Sequence, residues 1–192
     1  MRSAAGLPGV SVVSMSFGVP ELTMANFASF YGLTLSDLEQ YADTNYFSKP
    51  GVTFVACSGD DGAPGWYPAF SPNVISVGGT SLQNLDSNGD YPGSGTNGEI
   101  GWSDSGGGRS QDEPQPAYQI GVVLASMSTV QGVADRTIPD VSFDADPATG
   151  VAVADSFKGT AINKNGATWL VGGGTRATAS LFPEFLGVFY SY

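Results

Sequence analysis

Apolar residues fall along this chain in short blocks, each closed by glycine or proline. Val10 to Phe17 (Val-Ser-Val-Val-Ser-Met-Ser-Phe) is apolar and rich in valine, and Gly18 and Pro20 end it, which predicts a buried strand. From Glu21 to about Lys49 the spacing becomes helical, through Leu22, Phe27, Phe30, Tyr31, Leu38, Tyr41 and Phe47. Asn26 and Gly32 interrupt it, so two short helices are expected before the break at Pro50-Gly51. Val52 to Cys57 predicts a second buried strand, running into the glycine-rich turn Ser58-Gly59-Asp60-Asp61-Gly62-Ala63.

Asn73 to Val77 predicts a third short strand ending at Gly78-Gly79-Thr80, and Asn88-Gly89 a hairpin turn between short strands. A polar stretch rich in glycine and serine, Tyr91 to Gln119, reads as an unusually long loop, of the kind that often carries function. Val151 to Ala154 predicts another strand. Trp169-Leu170-Val171 leads through Gly172-Gly173-Gly174-Thr175 into a helix expected to reach Tyr192. Buried strands alternating with helices predict an α/β fold with a mainly parallel sheet. No internal repeat or interdomain linker is visible, and the apolar run from Phe185 to Tyr190 reads as a cut end.

Composition narrows the picture. With 192 residues, 41% of them hydrophobic, the chain can bury one core and does not read as disordered. Seven Lys and Arg against a net charge of −11 cannot assemble a basic patch, so neither nucleic acid nor an anionic membrane surface is an expected partner. The acidic excess suits a protein working at low pH, and equally simple solubility. No run approaches the roughly 20 apolar residues of a membrane span, and Met1-Arg2-Ser3 opens no signal peptide. Cys57, the one cysteine, lies in an apolar strand and reads as a small buried hydrophobe. There is no histidine, which excludes a Ser-His-Asp triad and a histidine-ligated zinc site.

Few segments then remain that can carry chemistry. Ser105, in Ser103-Asp104-Ser105-Gly106-Gly107-Gly108, has the surroundings of a trypsin-like nucleophile but lacks the histidine base. The bland alternative is a flexible loop whose glycines let backbone approach a ligand. Asp86-Ser87-Asn88-Gly89-Asp90 spaces oxygen ligands like an EF-hand loop, yet glycine stands at position 4 and Asn97 at position 12, so a turn is the simpler reading. Asp144-Ala145-Asp146-Pro147 also reads as a turn. Asp60 follows a buried strand on a glycine-flanked turn, where the mouth of a parallel sheet lies. Its carboxyl group there can bind a cation or water, or donate to an oxyanion when protonated. Val171 to Ala179 reads as strand, tight turn and helix start, and presents residue 176 where a nucleophile or bound anion sits in such turns. That residue is Arg176, which cannot act as a nucleophile and fills the space a carbonyl would need.

Taken in order, these segments resemble the sedolisin family of serine-carboxyl peptidases. Ser14-Met15-Ser16-Phe17-Gly18 with Glu21 resembles the family's Ser-x-Ser-Trp-Gly-x-x-Glu strand end, Phe17 standing where tryptophan is common. Gly51 to Ala63 is similar to the strand and turn of the oxyanion aspartate, which falls on Asp60. Tyr67-Pro68-Ala69, Ser71 to Val74 and Val77 to Leu82 continue the match. Trp102-Ser103, then Ser105-Gly106-Gly107-Gly108 and Pro116 to Gln119, resemble the substrate-side loop, and Ile138 to Ser142 with Asp144 to Pro147 follows. The match runs from about Val10 to Phe182.

The resemblance implies a subtilisin-like three-layer α/β fold with a mainly parallel central sheet, its N-terminal part missing, within a partial peptidase domain spanning 1–192 and no second domain. It implies protein or peptide substrates, acidic working pH, an extracellular origin, Asp60 as the oxyanion group, and Ser16, Phe17, Gly18 and the 105–108 loop at the substrate. The family's Glu and Asp pair lies on a helix preceding the Ser14 strand, and this chain begins after it. The nucleophile's Gly-Thr-Ser becomes Gly174-Thr175-Arg176, and the proline usual four residues on becomes Ser180. The family's calcium site lies beyond the chain's end, so no metal ligand or other cofactor is implied here. The expectation is an inactive piece of an endopeptidase domain, with a non-catalytic peptide-binding pseudoenzyme or a gene remnant as alternatives.

Overall fold

The computed structural model describes residues 1–83, 98–120, 135–154 and 169–190. Helix α1 (Arg2–Ala5) precedes strand β1 (Val12–Met15), strand β2 (Val19–Pro20), helix α2 (Glu21–Phe30) and helix α3 (Leu35–Tyr46). Strands β3 (Thr53–Cys57), β4 (Trp66–Tyr67), β5 (Val74–Leu82), β6 (Glu99–Gly101) and β7 (Gly108–Pro114) follow. After a short 3₁₀ turn (Ala117–Gln119) come β8 (Asp135–Ile138), β9 (Val141–Asp144), β10 (Val151–Ala154), β11 (Trp169–Gly172) and helix α4 (Thr175–Tyr190).

Strands β1, β3, β5 and β9 lie side by side and parallel, with Val13 opposite Phe54, Val55 opposite Ile75 and Val77 opposite Val141. Alternate residues point to opposite faces, and the central β3 is buried on both, which is why its Phe54 to Cys57 run is apolar instead of alternating. On one face Val13, Met15, Phe54, Ala56 and Val74 pack with Phe47, Tyr67 and Phe70, backed by α1 and α3. On the other, Val55, Cys57 and Val77 pack against Ala179 and Phe182 of α4. The α/β reading with a mainly parallel sheet holds. So do the two helices between Glu21 and Lys49: Thr34 opens the second with a capping box, its Oγ1 accepting from the Asp37 amide at 3.1 Å while the Asp37 carboxylate accepts from the Thr34 amide at 2.8 Å.

Two expectations need correction. Strand β5 does not stop at Val77 but continues through Gly78-Gly79 to Leu82, because β9 and the antiparallel β6 supply hydrogen-bonding partners along its second half. The stretch expected as one long loop carries β6 and β7 in its described part. Strand β7 owes its shape to an antiparallel pairing with the sequence-distant β8, which its own polar sequence (Gly-Arg-Ser-Gln-Asp-Glu-Pro) does not announce. The Asn88-Gly89 turn and the Asp86–Asp90 segment lie outside the described residues. No described helix is long and apolar enough to cross a membrane.

Candidate active site

The carboxyl ends of β1 and β3 and the N-terminus of α4 meet at one point. Asp60, just past β3, turns its carboxylate toward α4. Its Oδ1 accepts from the backbone amide of Thr175 at 2.7 Å and lies 2.7 Å from the Thr175 hydroxyl. That hydroxyl also lies 3.0 Å from the Gly59 carbonyl and accepts from the Gly59 amide at 3.2 Å, so its single proton serves the shorter contact to Asp60. Gly174, at φ +93°, permits the approach: a Cβ there would sit 3.2 Å from the Asp60 carboxylate in a backbone conformation that side chains disfavour.

Arg176 occupies the position the turn presents. Its Nε lies 3.4 Å from Asp60 Oδ2, an ion pair and not a close hydrogen bond, and its guanidinium sits 5.0 Å from the centre of the Trp66 ring. The half-exposed arginine head therefore covers the open side of the Asp60 carboxylate. Strand β1 is stitched to the same helix turn. The Ser16 hydroxyl lies 2.9 Å from the Arg176 carbonyl and 2.8 Å from Ser180 Oγ, and the Ser14 hydroxyl donates to the Ala179 carbonyl at 2.7 Å. Phe17 next to them is exposed.

The glycine loop closes over the Asp60 turn from the far side. The Gly106 amide donates to the Gly59 carbonyl at 2.8 Å, and the Gly62 amide donates to the Asp104 carbonyl at 2.8 Å. A Cβ on Gly106 would fall 2.0 Å from the Ser58 carbonyl oxygen, so glycine is required here by backbone against backbone. Ser105 Oγ accepts from the Gly79 amide at 2.9 Å. Its hydroxyl is thus committed to joining this loop to β5, and Gly106 serves packing at Ser58.

Relatives bear on this geometry directly. Kumamolisin from Bacillus sp. (strain MN-32) is 33% identical over 181 residues, covering 90% of this chain and 29% of that protein. Sedolisin from Pseudomonas sp. (strain 101) is 36% identical over 126 residues, covering 54% of this chain and 19% of that protein. The solved structure of Pseudomonas sedolisin, a serine-carboxyl proteinase complexed with two molecules of pseudo-iodotyrostatin, superposes with a TM-score of 0.55 at 26% identity, over 91% of this chain and 46% of that one. This chain belongs to the sedolisin family. No family model matches it, and it spans less than a third of the length of the curated relatives it matches.

Within this sedolisin-family chain, the structure brings Asp60, Arg176, Ser16 and the 105–108 loop together. Two participants were not legible. Trp66, which lies under Arg176 and packs against Gly59, sits in a Pro-Gly-Trp-Tyr-Pro turn that gives no sign of its partner. Thr175, fully buried, is the residue that fastens the α4 turn to Asp60. Cys57, at the end of β3 and three residues before Asp60, is fully buried, and burial, with the Asp60 charge adding to it, pushes its thiol up to about 11. It is packing material. Asp144 and Asp146 form the expected turn: Thr149 Oγ1 donates to Asp144 Oδ1 at 2.8 Å, and the Ala148 amide donates to Asp146 Oδ1 at 2.8 Å. Among the described residues no three acidic or thiol side chains converge where a metal ion could sit.

Proposed function

We propose that this chain is the oxyanion-side and substrate-side portion of an acid-acting, extracellular serine-carboxyl endopeptidase domain, and that by itself it does not hydrolyse peptide bonds. One observation carries the reading: where a nucleophile would stand, Arg176 pairs with Asp60 and covers it. A guanidinium is not a nucleophile. Paired at 3.4 Å, it also competes with any substrate oxyanion for the Asp60 carboxyl group. Loss of a nucleophile typically removes several orders of magnitude in rate. The substrates of the intact domain are proteins or peptides, laid along Ser16-Phe17-Gly18 and the Ser105 to Gly108 loop.

The test is casein hydrolysis by the purified chain at about pH 3 to 5, the range in which a carboxyl base operates. No cleavage is expected, either from the chain or from Arg176→Ser, because no described carboxylate other than Asp60 reaches residue 176. Cleavage that disappears in Asp60→Ala would overturn the proposal. A second reading, retained peptide binding without cleavage, is favoured by the intact seating of the 105–108 loop on the Asp60 turn. It predicts saturable binding of a fluorescent casein peptide, weakened by Phe17→Ala at the exposed substrate-side position; no binding at millimolar peptide would reject it.

A further inference from the structure

Away from Asp60, four carboxyl groups among the described residues are buried near one another, with no described cation among them. Glu21 at the start of α2, Glu39 and Asp43 on α3, and Glu113 on β7 are each less than a tenth exposed. Glu21 is satisfied by Ser110 Oγ and by the Gln111 amide at 2.7 Å, both on β7. The Asp43 carboxyl group lies beside Glu113 and adds to the acidic surroundings. Asp43 also accepts from the Tyr67 hydroxyl at 2.7 Å. Both carboxyl oxygens of Glu39 and Oε1 of Glu113 have no partner at all. The further charges facing the group, Asp112 and Asp135, are acidic too, and Arg109 nearby is committed to Asp135 at 2.5 Å.

A buried ion without a partner is far costlier than a buried neutral acid. Glu39 and Glu113 bury carboxyl oxygens with no hydrogen-bond donor, and protonation neutralises such groups without a counter-ion. The cluster also has a position that matters. Strand β7 begins at Gly108, directly after Gly106 and Gly107; its Ser110 and Gln111 hold Glu21 of α2, and its Glu113 lies beside Asp43 of α3. We propose that Glu21, Glu39 and Glu113 form a proton-held clasp that keeps β7, and with it the glycine loop, seated on α2 and α3 in acid, and that rising pH progressively weakens it. This does not depend on catalysis, so it stands or falls separately from the proposed function.

The direction of the pH dependence follows from the folded-state shifts. Burial pushes Glu39 up to about 9 and Glu113 up to about 8, and raises Glu21, from an ordinary value of 4.5. The folded chain therefore holds protons that the unfolded chain has already released. Stability from these groups is complete below about 4.5 and is lost as pH climbs through about 8 and then 9. Each such group shifts the folding equilibrium up to about tenfold per pH unit within that window, so Glu39 and Glu113 together shift it up to about a hundredfold.

The experiment is thermal melting of the 192-residue chain between about pH 4 and 7.5, in about 0.5 M salt to screen general repulsion among surface acids. A cooperative melt at the acid end with a midpoint that falls steeply toward neutrality is expected. Glu39→Gln and Glu113→Gln, singly and together, should flatten the fall, while Glu99→Gln, the same charge change at an exposed site, should leave it unchanged. Hydrogen exchange of β7 amides should rise before that of β3 as pH increases. Should one glutamine variant fail to fold, the other and the exchange order carry the test. A midpoint independent of pH, an unchanged slope in the foldable glutamine variants, no cooperative melt at the acid end, or restoration at neutral pH by added calcium would overturn the clasp.

Discussion

Replacing Arg176 with alanine tests how firmly that side chain is held over Asp60. At 3.4 Å, Coulomb's law gives about 1 kcal/mol in bulk water and about 5 kcal/mol at an effective dielectric of 20. The guanidinium is 53% exposed and Asp60 23%, which places the pair near the watery limit, at about 0.5 to 1 kcal/mol. Stacking over Trp66 at 5.0 Å adds about 0.5 to 1 kcal/mol for a partly exposed cation. Arg176→Ala should therefore cost about 1 to 2 kcal/mol, a fall in melting temperature of roughly 2 to 8 °C for a domain of this size. A double-mutant cycle with Asp60→Asn separates the two terms, because the amide keeps an acceptor for Thr175 while removing the charge. The assay is urea unfolding of the four proteins at one mildly acid pH, in low and high salt. A coupling of about 0.5 to 1 kcal/mol that vanishes in high salt is expected. Zero coupling in low salt, or an alanine variant more stable than the parent, would refute the claim that Arg176 is held by Asp60.

Gly106→Ala should destabilise the chain by at least about 3 kcal/mol, since its Cβ would meet Ser58 backbone atoms at 2.0 and 2.5 Å and neither can give way cheaply. Gly101→Ala, with nothing within 4 Å, should stay within about 0.5 kcal/mol of the parent, and denaturant midpoints compare the two. Asp140 pairs with both terminal nitrogens of the fully buried Arg136, at 2.6 and 2.5 Å. Removing it in Asp140→Ala strands that cation and should cost about 3 to 5 kcal/mol, again read by denaturant unfolding; a cost under about 1 kcal/mol would show the pair to be dispensable.

What the sequence determined by itself is local or depends on short patterns. The strands Val12–Met15 and Thr53–Cys57 were legible because each is a short run rich in valine and other apolar residues closed by glycine, and β3 is apolar from Phe54 to Cys57 because both its faces are buried. The helix pair was legible because its apolar spacing persists until Gly32 and Pro50 interrupt it. Asp60 and Arg176 stood out because each follows a strand and a glycine turn, and such turns present one side chain at the mouth of a parallel sheet. Tertiary structure decided whatever depends on a partner far along the chain. Strand β7 exists because β8 pairs with it, and Glu21 is buried because β7 brings Ser110 and Gln111 to its carboxylate. The same holds for Trp66 beneath Arg176, and for Glu39, Asp43 and Glu113, which are buried on α3 and the sequence-distant β7. A local pattern encodes which face of an element is apolar. It does not encode which acid will meet which other acid once the layers close, and that meeting is what turns exposed charges into a buried cluster held by protons.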